Sequence, residues 1–304
     1  MWYNDIDRRG LMMEKAKVYF IKEITPESLV KIYEALGVEA TGRVGVKIST
    51  GEPGGHNYLK PELIKDLVKK LNAHILECNT AYGGKRMASE DHLKAIHDHG
   101  FDAIATVDLM DQDGEMEIPA NGKHLDVDIV GKNLSNYDFM INLAHFKGHA
   151  MGGFGGVIKN QSIGVASSNG KAYIHTAGAT RNPGELWNKL PEQNAFLESM
   201  AEAAKAVRDY MKGNILYIEV MNNLSVDCDC DSNPEDPCMR DIGILASVDP
   251  VAVDQACIDM IWNSTDPGRD HFIERVERQN GRHILPYAEE IGLGSREYEL
   301  IEID

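Results

Sequence analysis

Short apolar runs alternate with amphipathic stretches along most of the chain. Lys17–Ile21 (KVYFI), Arg43–Ile48 (RVGVKI) and His74–Cys78 (HILEC) are rich in β-branched and aromatic residues and read as buried strands. Between the first two, Thr25 is placed to cap a helix with Pro26 at its first position, and Gly37 to end it after Leu36. Lys60–Leu71 is an amphipathic helix opened by Pro61. Such alternation predicts an α/β fold on a mostly parallel, doubly wound sheet.

The pattern continues through the second half. A helix is expected over Ser89–His99 with Ser89 as its cap, and a short strand over Ala103–Val107. Asp111–Asn121 is polar and turn-rich. Asp138–Leu143 (DFMINL), Ile215–Val220 and Ile242–Ala246 read as strands, and Lys171–Ile174 is strand-like. Helices are expected from Val157, over Asn194–Met211, after Asp249-Pro250, and in the charged tail from about Asp270. The loops Ser49–Asn57, His145–Gly156 and Asp227–Cys238 each follow a predicted strand. Ligands of open α/β sheets sit beyond the carboxyl ends of strands, so these loops are expected to converge on one cleft.

At 304 residues the chain is long enough for two lobes. Its formal charge of −17 argues against nucleic acid or an anionic membrane as partner. No apolar run approaches the ~20 residues that cross a bilayer. Met1–Gly10 lacks the apolar core of a signal peptide and reads as a polar leader, so a cytoplasmic protein is expected. A symmetric homodimer is the expected assembly. The five cysteines then point to metal or redox chemistry rather than structural disulfides.

Three of them, Cys228, Cys230 and Cys238, share one loop, and Cys78 ends a strand where it can supply a fourth thiolate. Thiolates suit an iron–sulfur cluster, iron or zinc, with nickel ranked behind. Cys257 lies in an apolar helix and reads as core. His145 and His149 flank the glycines of the second loop, which include Gly153, Gly155 and Gly156, and Lys159 and Asn160 follow. Glycine amides approach an anion closely, and the histidines can move protons or bind metal. His175 is a further candidate. Thr50, Gly51 and Arg86 are candidate ligands for an anionic group, Arg86 as a bidentate donor. A small anionic molecule is thus the expected partner.

Cys78-Asn79-Thr80, Gly84-Lys85-Arg86, the Asn142–Asn160 loop, Cys228-Asp229-Cys230 and the run Asp241–Ala256 together resemble an uncharacterised family often labelled "iron–sulfur centre protein". Many of its members carry an inserted ferredoxin module. Ser167–Asn194 holds no cysteine here, so only the cysteines outside that module carry over. His149, Gly153-Phe154-Gly155-Gly156 and Lys159 are also distantly similar to the lactate racemase family, which uses a nickel-pincer cofactor. That likeness implies Lys159 as the cofactor tether, His175 as a nickel ligand and His149 as an acid/base. Its second catalytic histidine is replaced by Lys85. It further implies two α/β lobes, residues 14–88 with 214–304 and an inserted 89–213, with the cleft between them. The expected function is a metal- or iron–sulfur-binding protein, an oxidoreductase or isomerase acting on a small anion. The alternatives are a hydroxy-acid racemase or epimerase with a cofactor on Lys159, and a non-enzymatic metal carrier.

Overall fold

The structure is a computed structural model that describes residues 15–303, so the expected leader at Met1–Gly10 lies outside the described residues. The chain opens with strand β1 (Ala16–Ile21), helix α1 (Pro26–Ala35), β2 (Val44–Lys47), α2 (Pro61–Lys70), β3 (His74–Glu77) and α3 (Ser89–Asp98). Thr25 caps α1 as expected, its hydroxyl accepting from the Ser28 amide at 3.1 Å. Ala88 rather than Ser89 occupies the N-cap of α3, because the Ser89 hydroxyl accepts from Asn79 Nδ2 at 2.8 Å.

Strand β4 follows at Val107–Leu109, slightly later than expected. The polar stretch after it hides a hairpin, β5 (Glu115–Pro119) with β6 (Val127–Gly131). Next come β7 (Phe139–His145), a ribbon of β8 (Lys147–His149) and β9 (Gly153–Gly155), α4 (Val157–Ser162) and α5 (Ser168–His175). The strand-like Lys171–Ile174 is therefore helical. Ser167 caps α5 by accepting from the Gly170 amide at 3.1 Å. The chain ends with α6 (Gln193–Tyr210), β10 (Ile215–Met221), β11 (Gly243–Ser247), α7 (Pro250–Asn263), α8 (Arg269–Arg278), α9 (Ile284–Glu290) and β12 (Tyr298–Glu302).

One eight-stranded sheet in the order β12-β1-β11-β10-β7-β2-β3-β4 organises the molecule, and β11 alone runs against the rest. The fold is α/β with a mostly parallel sheet. Residues 14–88, 89–213 and 214–304 all contribute strands to it, joined by the β2–β7 and β7–β10 ladders. Every residue of β7 and β10 is buried. Met140 and Ala144 face one core with Leu197 and Val253; Phe139, Ile141 and Leu143 face the other with Leu29 and Ile64. That period-two division places helices on both faces of the sheet. Among the described residues no helix is long and apolar enough to cross a membrane.

One buried acid makes the fold pH-sensitive. Burial lifts the Asp128 carboxyl on β6 from its ordinary 3.8 to about 7. Its Oδ1 accepts from the Ile129 amide, and Oδ2 has no partner among the described residues. The folded chain keeps this proton where the unfolded chain has lost it. The stability it confers is full below 3.8 and is lost as pH rises through about 7. Thermal denaturation of the wild type should show a loss of ~3 kcal/mol between pH 5 and 8 from this group. In Asp128→Asn that loss should shrink; an unchanged pH slope would assign it elsewhere.

Candidate functional site

Strands β10, β7, β2 and β3 are sheet neighbours, and the loops beyond their carboxyl ends line a shared cavity. It has a narrow inner chamber of about 80 Å³ and an outer chamber of about 450 Å³. Tyr82, His149, His175, Cys228 and Cys230 line both and mark the junction.

The inner chamber is cationic. Lys47, Arg86, Lys147, Lys159 and Lys171 line it, with Glu77 as the carboxylate on its wall. Lys47 is held by Glu77 at 3.0 Å, and Arg86 by Glu52 at 2.9 Å and Glu77 at 3.3 Å. Burial would raise the Glu77 carboxyl, but Lys47 and Arg86 hold it at about 2. Lys147 pairs with Asp229 at 2.9 Å. Burial also opposes ionisation of Asp229, yet Lys147 and His145 keep it well below the usual carboxylate range. Among the described residues neither Lys159 nor Lys171 has an ion-paired carboxylate. Burial, reinforced by Lys147, lowers Lys159 to about 7. An acidic protein thus encloses a chamber whose charge favours an anion.

The two histidines at the junction are set in opposite senses. His149 Nδ1 accepts from the amides of Gly152 at 2.8 Å and Met151 at 3.2 Å. Burial and then Lys159 hold the ring's pKa well below the ordinary value. The ring is neutral, and the proton sits on Nε2, making it a donor. His175 Nδ1 instead donates to the Lys171 carbonyl at 2.7 Å, which leaves Nε2 with a free lone pair. Burial lowers this ring to about 4, so it too is neutral near pH 7.

Cys228 and Cys230 are joined as a disulfide, and Lys159 Nζ lies 3.9 Å from Cys228 Sγ. Their sulfurs and a ring nitrogen of His149 all lie within 4.8 Å of one another, and no other comparable group of metal-ligating side chains occurs among the described residues. Distance therefore selects His149 as a third ligand beside the sulfurs. Hydrogen bonding selects against it, because a nitrogen carrying a proton cannot ligate; His175 has the arrangement a metal ligand needs.

The structure separates the remaining candidates. Cys78 lines the inner chamber but lies outside the ligand group; its thiol donates to the Val165 carbonyl at 3.3 Å, and burial pushes its pKa up. Cys238 does not join the group either. Its amide and thiol both bond the Leu224 carbonyl, and burial raises the thiol to about 11. Cys257 is core. His145 spends both ring nitrogens, on Asp229 at 2.8 Å and the Asn222 carbonyl at 2.6 Å, and so ties the cysteine loop to β7. Lys85 is exposed and only its amide contributes, donating to Glu52 at 2.6 Å. Thr50 bonds Glu77 through its amide and hydroxyl. Gly51 and Gly153 have positive φ and admit the Tyr58 ring and Gly281 backbone, which are packing roles. Gly156 and Asn160 line the inner chamber, whereas Gly155 packs beside the Lys147 and Lys159 side chains.

Two residues missed by sequence reasoning hold the start of α4. Glu219 and Asp254 accept from the Val157 amide at 2.5 and 2.8 Å. Burial lifts Asp254 to about 6, and burial with Asp254 beside it lifts Glu219 well above the ordinary value, so the pair shares a proton near neutral pH.

Comparison with known proteins supplies a family. No curated protein matches the chain. Among solved structures, the lactate racemase apoprotein from Thermoanaerobacterium thermosaccharolyticum is similar at 16% identity and a TM-score of 0.45, over 80% of this chain and 56% of that one. A structural-genomics target from Thermotoga maritima is similar at 13% identity and a TM-score of 0.42, over 84% of this chain and 56% of that one. The chain thus spans little more than half the length of either, and likenesses this distant carry no functional weight. Residues 44–259 match one sequence family, and the chain belongs to it: the family described as Domain of unknown function (DUF362).

Proposed function

We propose that this protein is an enzyme that acts on a small anionic substrate beside a soft metal ion held by Cys228 and Cys230. The observation that carries the reading is the placement of both sulfurs, with His149 and His175, at the mouth of the cationic inner chamber. The donor set fits a metal. Two-electron reduction of the disulfide, with uptake of two protons, gives two thiols; metal binding then releases those protons as the thiolates ligate. His175 Nε2 has the free lone pair but lies outside the 4.8 Å group, so it would complete a Cys₂His set, a composition found in catalytic zinc sites that keep one position open, by moving toward the sulfurs as the ion binds. The third and fourth thiolates of a cluster are not at hand among the described residues, so a mononuclear ion is favoured over an iron–sulfur cluster. Such an ion supplies Lewis-acid polarisation of a bound oxygen.

The chain's own groups do the rest. Lys171, Arg86 and Lys47 orient the anionic head. His149, neutral, donates a hydrogen bond from Nε2, and Lys159, on the same wall, is the amine placed to accept a proton. Acid and base around one bound acid suit isomerase chemistry. The uncharged buried amine of Lys159 also favours a second reading, a racemase or epimerase with a cofactor attached there, for which an adduct in the intact mass that Lys159→Arg abolishes is the test.

Metal analysis tests the first reading. Wild type reduced with a dithiol and dialysed against Zn²⁺ or Ni²⁺ should retain about one ion per chain. Cys228→Ser/Cys230→Ser and the unreduced protein should retain none. His149→Gln should retain the ion, and His175→Ala should bind it ~10–100-fold more weakly. Equal retention by the double cysteine variant would contradict the site.

A further inference from the structure

The cavity is divided by chemistry as well as by width. All five lysines and arginines that line the cavity belong to the inner chamber, and none lines the outer one. The outer wall carries Met151, Leu186 and Trp187, with the carboxylates of Glu52, Asp227 and Asp231 elsewhere on its lining. Trp187 follows Pro183 in a short 3-10 turn (Pro183–Asn188) and stays 58% exposed, although Leu186 beside it is buried. A large aromatic left open on the wall of a cleft is a contact awaiting a ligand. The inner chamber is the smaller of the two, about 80 Å³ against about 450 Å³, so a charged head group can sit there while the bulk of a larger ligand has the outer space. A two- or three-carbon acid held by the inner cations would leave the outer 450 Å³ to solvent.

We propose that the substrate is a carboxylic acid with a bulky apolar or aromatic side chain, its carboxylate among the inner cations and its side chain against Trp187, Leu186 and Met151. The proposal rests on the reading of the cleft as a site for small anions and names the class of anion. The tail carries the selectivity: it buries apolar surface on Trp187, while the head is common to every acid. The reacting carbons then lie at the junction, beside His149 and the two sulfurs.

Calorimetric titration with propanoate, 3-phenylpropanoate and 3-phenylpropan-1-ol separates the parts. The phenyl acid is expected to bind at least about tenfold more tightly than propanoate, and the uncharged alcohol far more weakly than the phenyl acid. Trp187→Ala, an exposed position whose loss leaves the core intact, should lower the affinity for the phenyl acid severalfold and leave that for propanoate unchanged. Equal affinities for the two acids, or a Trp187→Ala variant that binds the phenyl acid as wild type does, would overturn the tail assignment while leaving the anion site standing. Tight binding of the alcohol would overturn the head assignment. Failure of both acids to bind would remove the anionic-substrate reading itself.

Discussion

At pH 7, with Cys228 and Cys230 joined, Lys159 should present about 10³-fold more uncharged amine than a lysine at the ordinary 10.5. Burial is the main cause, since a charged ammonium loses its hydration there, and Lys147 adds repulsion. A small anionic amine reagent such as trinitrobenzenesulfonate is drawn to the chamber by the same cations. Brief labelling near neutral pH should therefore modify Lys159 ahead of every other lysine, beside whatever reacts at the α-amino group, as located by peptide mass analysis. The labelling rate should rise with pH through about 7, because the reactive form is the deprotonated one. A rate that rises only near 10, or labelling spread evenly over surface lysines, would show that the chamber does not depress this amine. The prediction is confined to the disulfide form, because thiolates or a bound ion next to Nζ alter its field.

The largest effect on stability is expected from Glu77→Ala. The Glu77 carboxylate receives Lys47, Arg86, and the amide and hydroxyl of Thr50 at 2.8 and 3.1 Å. Arg86 retains Glu52, but Lys47 is 1% exposed and loses its only ion pair among the described residues. Leaving such a charge unpaired costs about 3–5 kcal/mol. Chemical denaturation should show that loss at pH 7, and Lys47→Met in a Glu77→Gln background should recover much of it. The pH dependence has a definite sign. Folded Glu77 titrates near 2 and the free side chain near 4.5, so its contribution is present above 4.5 and lost as pH falls through 2. The variant should lack that acid-side loss. A cost under 1 kcal/mol, the range of exposed pairs, would mean the network is solvated.

Much of the fold was legible because its strands are short apolar runs closed by glycine, proline and capping residues. Thr25, Pro26 and Gly37 mark α1 within a residue of its observed ends. Failures came where period and composition disagree with context. Lys171–Ile174 is too short a run to tell strand from helix turn, and the helix is decided by Ser167 one turn earlier. The hairpin β5–β6 is polar on its open side, with Glu115 and Glu117 exposed, and so read as loop.

The candidate site shows the same division. Loops beyond neighbouring parallel strands meet as sheet topology demands, which explains why Arg86, His149, Lys159 and Cys228 lie together. Cys238 is drawn away because its amide bonds the Leu224 carbonyl and the adjoining Met239 bridges Leu224, a pairing that thiol spacing does not encode. Lys85 and Arg86 are neighbouring cations in sequence; only the side chain of Arg86 reaches the buried carboxylates of Glu52 and Glu77. The residues missed had a signal. Lys47, Glu77 and Glu219 are buried charges in otherwise apolar strands, and such charges need partners aimed at them.

The most direct test of the metal site is X-ray absorption at the metal edge, on protein reduced and loaded with Zn²⁺. The account predicts two sulfur scatterers at ~2.3 Å with imidazole nitrogen at ~2.0–2.1 Å, and loss of the sulfur shell in Cys228→Ser/Cys230→Ser. A first shell of nitrogen and oxygen alone, in protein whose Cys228 and Cys230 are demonstrably reduced, would contradict it.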